Sequence, residues 1–386
     1  MTSQRTYDVA VIGAGVFGAW TALHLVRRGK RVILLEAYGP GHSRSSSGDE
    51  SRIIRMGYGK DEIYTRWAQR SLAQWKELFA ATRNEALFQQ TGVCWFAAEK
   101  DSTLRASREV LTRCGVNYKE LDRDALVSRF SQIDLGGIGE GIFEPESGVL
   151  MARRAVAAVV AEAVRVGVEY RTVRVEAPSG AGKTNKIVCG NSGELVHAGE
   201  YVFACGPWLA NLFPRILGQR IFVTRQAVFY MSVPAGDERF SPPALPTWLI
   251  QNEEWYGMPN LESRGLKVAL DRHGEAVDPD TQLRVVTKEE VNEVREYVAR
   301  RFPALRGAPI AETRVCQYEN TSNGDFLIDR HPEMENVWFA GGGSGHGFKH
   351  GPALGEYVTS RILGEASAEP RFALAAKETV QHRAVY

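Results

Sequence analysis

The strongest constraint in this sequence is a glycine-rich turn between an apolar strand and a helix near the start of the chain. Residues 7–12 are apolar and of β type, and residues 13–18 read Gly-Ala-Gly-Val-Phe-Gly. An apolar helical pattern follows, and a second apolar strand, residues 31–35, ends at Glu36. This order of strand, G-x-G-x-x-G turn, helix, strand and acid predicts a βαβ unit that binds a dinucleotide.

Each part of the motif has a physical role. Gly13 permits the tight turn, Gly15 lets the backbone approach a pyrophosphate, and Gly18 lets the helix pack close to the strand. The helix N-terminus then faces the phosphates. Glu36 can accept hydrogen bonds from the adenosine ribose, and an acid at this place favours FAD or NAD over NADP.

Composition limits the classes of protein and partner. With 386 residues and 44% hydrophobic content, the chain can bury a large core, and we expect two domains. A net charge of +1 gives no indication of nucleic acid or an anionic membrane as partner. No charged, apolar and small-residue signal precedes Tyr7, and no apolar run approaches the ~18 residues of a membrane span.

The five cysteines are odd in number, scattered, and without a C-x-x-C pair. This pattern favours reduced thiols in the cytoplasm and gives no framework for a metal site.

The rest of the chain mixes helices and strands. Residues 37–49 are rich in Gly, Ser and Pro and predict a loop, and Arg52-Ile-Ile-Arg55 follows beside the dinucleotide site. Helices are predicted at 63–79, 102–114, 151–166, from the Thr287–Glu290 capping box to Pro303, and at 352–363. Strands are predicted at 92–96, 168–175 (with a hairpin partner after 183), 201–208 (running into a break at Gly206-Pro207) and 337–340. Residues 220–305, with many prolines and aromatics, predict an antiparallel sheet that floors a substrate pocket.

These patterns predict an α/β fold with a discontinuous Rossmann-type domain and an interleaved antiparallel-sheet domain. We assign residues 1–86, 144–215 and 310–386 to an FAD-binding domain. Residues 87–143 and 216–309 are assigned to a substrate domain.

A second glycine-rich turn lies near the end of the chain. The strand at 337–340 opens into Gly-Gly-Gly-Ser-Gly-His-Gly-Phe-Lys, residues 341–349, and a helix follows. Such a turn predicts a second anion or dipole site. A simple NAD enzyme needs no second site, whereas FAD has a ring to hold apart from its pyrophosphate, so this turn favours FAD.

The motifs resemble those of the monomeric sarcosine oxidase family, whose members include N-methyl-tryptophan and pipecolate oxidases, with fructosyl-amino-acid oxidases as distant kin. The matching segments run from end to end of the chain. They are 13–18 with Glu36, 51–55, Tyr256-Gly257, Gly265-Leu266-Lys267, Cys316-Gln317-Tyr318, 326–332 and 344–349.

For the cofactor, the resemblance implies FAD, attached through a thioether to Cys316. Lys267 is similar to the lysine that activates dioxygen, and Arg52 would lie beside the flavin and assist attachment and oxygen reactivity. His346 is expected to hold its loop rather than to act as a base. The predicted FAD contacts are Gly13, Gly15, Val16, Phe17, Gly18, Glu36, Ser43, Arg44, Ser47, Arg52, Cys205, Gly206, Trp208, Cys316, Gly342, Gly345, His346, Gly347, Phe348 and Lys349.

For the substrate, the resemblance implies that Arg55 and Lys349 clamp a carboxylate and that Tyr256 and Tyr318 border the bound molecule. Relatives carry a histidine four residues after the oxygen-activating lysine, where this chain has Asp271.

Two further departures lie nearby: Gly48 replaces a loop histidine of many relatives, and Cys-Gln-Tyr-Glu at 316–319 replaces Cys-Met-Tyr-Thr. We therefore expect a more acidic pocket, and a substrate with a second polar or cationic group.

The reaction that the resemblance implies is oxidation of the C–N bond of a secondary amino acid. Hydride passes to the flavin, the imine hydrolyses, and dioxygen is reduced to hydrogen peroxide. The partners are then a small amino acid and dioxygen, and we expect a monomer. Three alternatives stay open: a fructosyl-amino-acid or other amine oxidase, a dehydrogenase that passes electrons to a carrier, and a non-catalytic flavoprotein module.

Overall fold

Residues 6–382 of the computed structural model form three β-sheets with helices packed on them. The strands are β1 (Thr6–Ile12), β2 (Val32–Glu36), β3 (Arg52–Ile54), β4 (Phe88–Gln89), β5 (Val93–Ala97), β6 (Lys119–Asp122), β7 (Glu140–Glu144), β8 (Gly148–Leu150), β9 (Glu169–Thr172), β10 (Ile187–Cys189), β11 (Glu194–Phe203), β12 (Ile221–Met231), β13 (Thr247–Ile250), β14 (Trp255–Met258), β15 (Leu266–Leu270), β16 (Ile310–Thr321), β17 (Leu327–Arg330) and β18 (Val337–Gly341). The helices are α1 (Val16–Arg27), α2 (Glu62–Thr82), α3 (Ser102–Arg113), α4 (Arg123–Arg129), α5 (Ala152–Arg165), α6 (Leu209–Leu212), α7 (Pro214–Leu217), α8 (Lys288–Arg301) and α9 (Gly351–Ile362).

The first sheet has a parallel centre. Its order is β17-β18-β11-β1-β2-β9, with β10 paired to β11, and the pairs among β18, β11, β1, β2 and β9 are parallel. Strands β1 and β2 are almost wholly buried, because α1, with α5 and α9 packed on it, covers one face, and side chains of β10, α6 and α7 cover the other. The predicted Rossmann-type unit is confirmed.

The second sheet has the order β16-β12-β15-β14-β13-β5-β7-β6, and its neighbours are antiparallel except for β13 with β5. The predicted antiparallel sheet is thus present, and so is the capping box of α8. A small third sheet, β3-β8-β4, carries the Arg52–Ile54 strand beside the first sheet.

The division into two domains remains a proposal, and the pairing of one strand does not follow it. Strand β16 falls in the proposed FAD-binding segment, yet it pairs along its length with β12 of the second sheet. Residues 1–5 and 383–386, at the two ends of the proposed FAD-binding domain, lie outside the described residues.

Two predicted strands differ from the structure. The strand predicted at 201–208 begins earlier and ends at Phe203, because Gly206, at φ +53°, opens a 3₁₀ turn through Trp208. The expected hairpin partner of 168–175 is β10, but β10 pairs with β11 and meets the earlier segment only in a bridge between Val175 and Cys189.

Three features of the described residues bear on partners and ligands. No helix in the described range has the length and apolarity to cross a membrane. In the same range no group of histidine, cysteine and acidic side chains is arranged to hold a metal ion. The five cysteines are free thiols.

Backbone contact explains the glycines of the first turn. Gly13 has a φ of +101°, and a Cβ there would lie 2.4 Å from the carbonyl oxygen of Ala204. A Cβ on Gly18 would lie 1.9 Å from the carbonyl oxygen of Gly13. Gly15 is different, since its Cβ would meet only Ser47 Oγ at 3.6 Å. Gly13 and Gly18 therefore serve packing, whereas Gly15 leaves space in front of the helix.

Replacing Gly18 by Ala should lower the free energy of unfolding by about 3 kcal/mol or more, because overpacking outweighs the better helix propensity of Ala. Urea unfolding followed by circular dichroism measures this change. Gly15→Ala is the matched control and should alter stability by less than about 1 kcal/mol, since its Cβ meets no backbone. Equal stability of the two variants would contradict this account of the turn.

Candidate active site

A long cavity runs along the carboxyl ends of the parallel strands in the first sheet. Its lining includes the residues that directly follow β1, β2, β9 and β11, together with Gly343 after β18. It encloses about 1350 Å³, open mouth included. Ligands of open α/β sheets bind at this edge, where neighbouring strands connect in opposite directions.

One end of the cavity is built for a nucleotide. Gly15 caps α1 in extended conformation, so the helix N-terminus points into the space that the missing side chain leaves. Glu36 is buried, and its carboxylate accepts hydrogen bonds from the amides of Ala14 (2.7 Å) and Tyr38 (3.0 Å). Burial raises the pKa of Glu36 and these amides oppose the rise. Its remaining lone pairs are acceptors for ribose hydroxyls.

Many of the predicted cofactor residues line this cavity. They are Gly13, Gly15, Val16, Phe17, Glu36, Ser47, Arg52, Cys205, Gly206, Trp208, Gly345, Gly347 and Phe348. Sequence reasoning missed Ser45, Ser46, Gln317 and Gly343 in the same lining.

The other predicted cofactor residues lie elsewhere. Ser43 and Arg44 are exposed at the outer side of the loop, where the Arg44 guanidinium lies over the ring of Tyr38. The serines that reach the cavity come two to four residues later, and cofactor contacts of Ser43 and Arg44 stay a prediction.

Four more of the predicted cofactor residues lie behind the residues that line the cavity. Gly18 packs on Gly13, and Gly342 is held against Thr321 and Leu327. His346 stacks on Phe326. Cys316 is buried beside Arg52.

Glu319 is a buried carboxyl group in the cavity wall. Its Oε1 atom has no hydrogen-bond partner among the described residues. Burial raises its pKa to about 7, while the amides of Gly342 and Gly343 act in the opposite direction. A buried acceptor without a partner indicates that a ligand belongs in this space.

Lys267 projects from β15 into an ion pair with Asp49. Its Nζ lies 2.6 Å from Asp49 Oδ2, and it also donates to the carbonyl oxygen of Ser51 at 2.9 Å. Arg52 binds the same carboxylate and donates through Nη2 to Cys316 Sγ at 3.0 Å. The predicted attachment cysteine and both predicted catalytic cations therefore form one cluster. Asp49, which joins them, was missed.

Arg55 and Lys349 form a second buried cationic pair. The Arg55 guanidinium lies between two rings, 4.5 Å from the centroid of Tyr58 and 4.4 Å from that of Trp95. Lys349 Nζ donates to Tyr58 Oη at 2.8 Å and to the carbonyl oxygen of His346 at 2.9 Å. Neither cation has an ion-pair partner within the described part of the chain. Burial lowers the pKa of Lys349, and the charge of Arg55 lowers it further.

Glu144 holds the Arg55 segment in place. Its buried carboxylate accepts from the amides of Met56 (2.7 Å) and Gly57 (3.0 Å) and from Trp95 Nε1 (3.0 Å). It thereby fixes both the backbone after Arg55 and the ring on which Arg55 stacks. The sequence shows this residue only at the start of a turn, with no signal for the role.

Tyr318, Asp271 and Tyr256 border the same region. Tyr318 Oη donates to Asp271 Oδ1 at 2.7 Å, and the buried hydroxyl of Tyr256 is close enough to Tyr318 and Asp271 to interact with both. Burial raises the pKa of Asp271, against the opposing influence of Tyr318, Arg55 and Lys349. The five predicted substrate residues are thus brought together.

Comparisons with known proteins agree with this geometry. The model of a family described as FAD dependent oxidoreductase matches residues 8–361. The chain is similar to monomeric sarcosine oxidase of Streptomyces avermitilis, at 32% identity over 95% of this chain and 96% of that protein. It is also similar to human peroxisomal sarcosine oxidase, at 30% identity over 93% of each.

The fold agrees as well. Fructosamine oxidase from Aspergillus fumigatus (Amadoriase II), solved in complex with FSA, superposes with a TM-score of 0.80 at 22% identity, over 97% of this chain and 90% of that one. This likeness confirms the predicted combination of a Rossmann-type unit and an antiparallel sheet.

The cavity fits FAD on three observations of its own walls: the open space before the helix N-terminus, the buried Glu36 carboxylate, and the partnerless Oε1 of Glu319. With the matches over nearly the whole chain, they lead to one conclusion. The chain belongs to the FAD-dependent oxidoreductase family that includes the monomeric sarcosine oxidases.

Proposed function

We propose that this protein is an FAD-dependent oxidase of a secondary amino acid, of the N-alkyl or cyclic kind. The observation that carries the proposal is the pair Arg55 and Lys349, two buried cations without an ion-pair partner in the described chain. Burying unpaired charge is costly, so such a pair favours an anionic ligand that completes it. A substrate carboxylate fits this requirement. The sarcosine oxidases among the relatives support an amino acid as the substrate class.

The two cations differ in how they are held. Arg55 is fixed in orientation by the rings of Tyr58 and Trp95, so its planar fork is presented in one direction. Lys349 has three N–H donors and uses two of them on Tyr58 and His346. The third donor remains for the ligand. Burial and the charge of Arg55 lower the pKa of Lys349, and the negative charge of a bound substrate carboxylate would oppose both effects.

Fixing the carboxylate fixes the amine-bearing carbon as well. FAD, when bound, accepts the hydride from this carbon and passes the electrons to dioxygen, which becomes hydrogen peroxide. The imine then hydrolyses in water. The protein residues contribute orientation, because Arg55, Lys349, Tyr256 and Tyr318 hold the substrate against one wall of the site.

Lys267 and Arg52 are proposed to serve the oxygen half of the reaction. A fixed ammonium group stabilises negative charge as it develops on dioxygen. The Lys267 side chain is 1% exposed, and hydrogen bonds to Asp49 and Ser51 hold it. It therefore has the fixed geometry that such stabilisation requires.

Asp271 bears on substrate choice. Its carboxyl group lies in the substrate region, where the charges of Arg55 and Lys349 both act to lower its pKa. We propose that the enzyme prefers an amino acid with a second polar or cationic group over plain sarcosine. A fructosyl-amino-acid substrate satisfies this preference and remains the second candidate.

Cys316 is proposed to carry the flavin as a thioether. Arg52 donates to its sulfur, and its neighbours Gln317 and Tyr318 line the cavity.

We also propose a monomer located in the cytoplasm. The free state of all five cysteines supports this location. The human relative is named a peroxisomal enzyme, so location differs among relatives.

Replacing Lys267 by Met should slow reoxidation of the reduced enzyme by about 100-fold, the loss expected for one fixed charge. Reduction by substrate should change less than about tenfold. Stopped-flow absorbance of the two half-reactions measures both. Lys288→Met, at an exposed position on α8, is the matched control and should leave both rates unchanged. Equal slowing of the two half-reactions would contradict the assigned role.

Replacing Cys316 by Ala should release the flavin when the protein is precipitated with acid, whereas the wild-type protein retains it. Absorbance of the supernatant near the flavin maximum reports the released fraction. Cys205→Ala removes a second thiol that lines the same cavity and serves as the control, with the flavin still attached. A flavin already extractable from the wild type would refute the linkage.

A further inference from the structure

Asp49 is a buried carboxylate that holds two cations at once. It is 4% exposed, and its Oδ2 accepts from Lys267 Nζ at 2.6 Å and from Arg52 Nη1. Its Oδ1 accepts from the amide of Glu50 at 2.7 Å and from Tyr230 Oη at 3.3 Å. Each oxygen thus has two donors, so the side chain has one orientation. The only ion pair of Lys267 in the described chain is the one with Asp49.

This arrangement decides the charge of Lys267. The pKa of Lys267 lies below its usual value, because burial lowers it and the guanidinium of Arg52 lowers it further, while the carboxylate of Asp49 opposes the fall. Burial also acts to raise the pKa of Asp49, but Lys267 and Arg52 outweigh it and lower that pKa below its usual range. Asp49 is therefore ionised. Without it, Lys267 would face burial and a neighbouring positive charge with no compensation.

The other groups around this pair do not replace Asp49. Ser51 offers Lys267 only neutral oxygens, and the Tyr230 ring lies 5.7 Å from Nζ. The groups that face Lys267 or its carboxylate partner are Asp49, Glu50, Ser51, Arg52, Tyr230, Arg314 and Cys316. Glu50 directs its carboxylate to Arg153 and Arg314 instead.

We propose that Asp49 is a positioning residue for oxygen activation, which keeps Lys267 as an ammonium ion and aims it at the Arg52 end of the cavity. The proposal rests on the proposed role of Lys267 in the oxidase reaction. It goes beyond that role because it identifies Asp49 as the residue that keeps Lys267 protonated. It also explains how a buried lysine keeps its charge beside a buried arginine.

The test is the pH dependence of reoxidation in the holoenzyme with Asp49→Asn, which keeps the shape and removes the charge. The wild-type rate constant with dioxygen should be constant from about pH 6 to pH 9. In the variant, the rate should fall as pH rises, because Lys267 loses its proton at a pH at least about two units lower. We expect a loss of about tenfold or more at pH 9 and less than about threefold at pH 6.

A second measurement needs no turnover. The absorption spectrum of the oxidised holoenzyme, titrated without substrate, reports the ionisation of a charge beside the flavin. Asp49→Asn should show a step at the same pH as the fall in rate. The step should be absent in Lys267→Met and in the double variant.

The double variant Asp49→Asn/Lys267→Met separates positioning from a general structural effect. If Asp49 acts through Lys267, removing its charge adds no further pH dependence once Lys267 is Met. A pH profile of Asp49→Asn that matches the wild type would overturn the proposal, and so would a pH-dependent loss that persists in the double variant. If Asp49→Asn does not fold, Asp49→Ser takes its place. A wild-type rate that already falls below pH 8 overturns the proposal without any variant.

Failure of the proposed function would look different. Slow reaction of wild-type reduced enzyme with dioxygen at every pH would refute the oxidase assignment. The spectral titration would still decide whether Asp49 keeps Lys267 charged.

Discussion

Four buried cations, of which Arg52 lines the cavity, are the feature on which the rest of the site depends. Arg52 and Lys267 share the carboxylate of Asp49, while Arg55 and Lys349 have no ion-pair partner in the described chain. Burial of charge costs several kcal/mol per ion unless partners compensate it. Aromatic faces, backbone carbonyls and Asp49 compensate part of this cost. The part of this cost that stays uncompensated favours the binding of an anionic ligand, and it favours negative charge that develops near the cations during the reaction.

The two large sheets carry different groups of the site. The first sheet supplies the nucleotide end, through the turns after β1, β2 and β11. The second sheet supplies Lys267 on β15 and Cys316 and Tyr318 on β16, both paired to β12. The loop after β2 carries Asp49, and Arg52 is the first residue of β3, which follows it. Because Lys267, Cys316 and Tyr318 lie on strands that pair with the same neighbour, their mutual positions vary little.

Local sequence predicted the parts of the site that depend on local structure. Gly13, Gly18 and Glu36 lie within one βαβ unit, so their spacing along the chain already determines how they meet. The family motifs added Arg55 and Lys349, which no local pattern distinguishes from a solvated arginine and a surface lysine. Contacts between distant segments could not be predicted in this way. Asp49 and Lys267 are 218 residues apart, and the carboxylate of Glu144 reaches Met56 across 88 residues. The sequence also did not indicate that Ser45 and Ser46 line the cavity, because the course of a Ser-rich loop depends on the sheets that it joins.

The central claim is that the buried cations bind an amino acid carboxylate so that its amine is oxidised and dioxygen accepts the electrons. Its most direct test is bleaching of the flavin without oxygen, followed by admission of air. Sarcosine, pipecolate, N-methyl-tryptophan, proline and fructosyl-glycine form the panel of substrates. We expect at least one of them to bleach the flavin, a substrate with a second polar group to do so faster than sarcosine, and air to restore the colour promptly with one hydrogen peroxide per turnover. Bleaching with slow recovery in air and no peroxide would contradict the oxidase assignment, and no bleaching by any of the five would contradict the proposed substrate class.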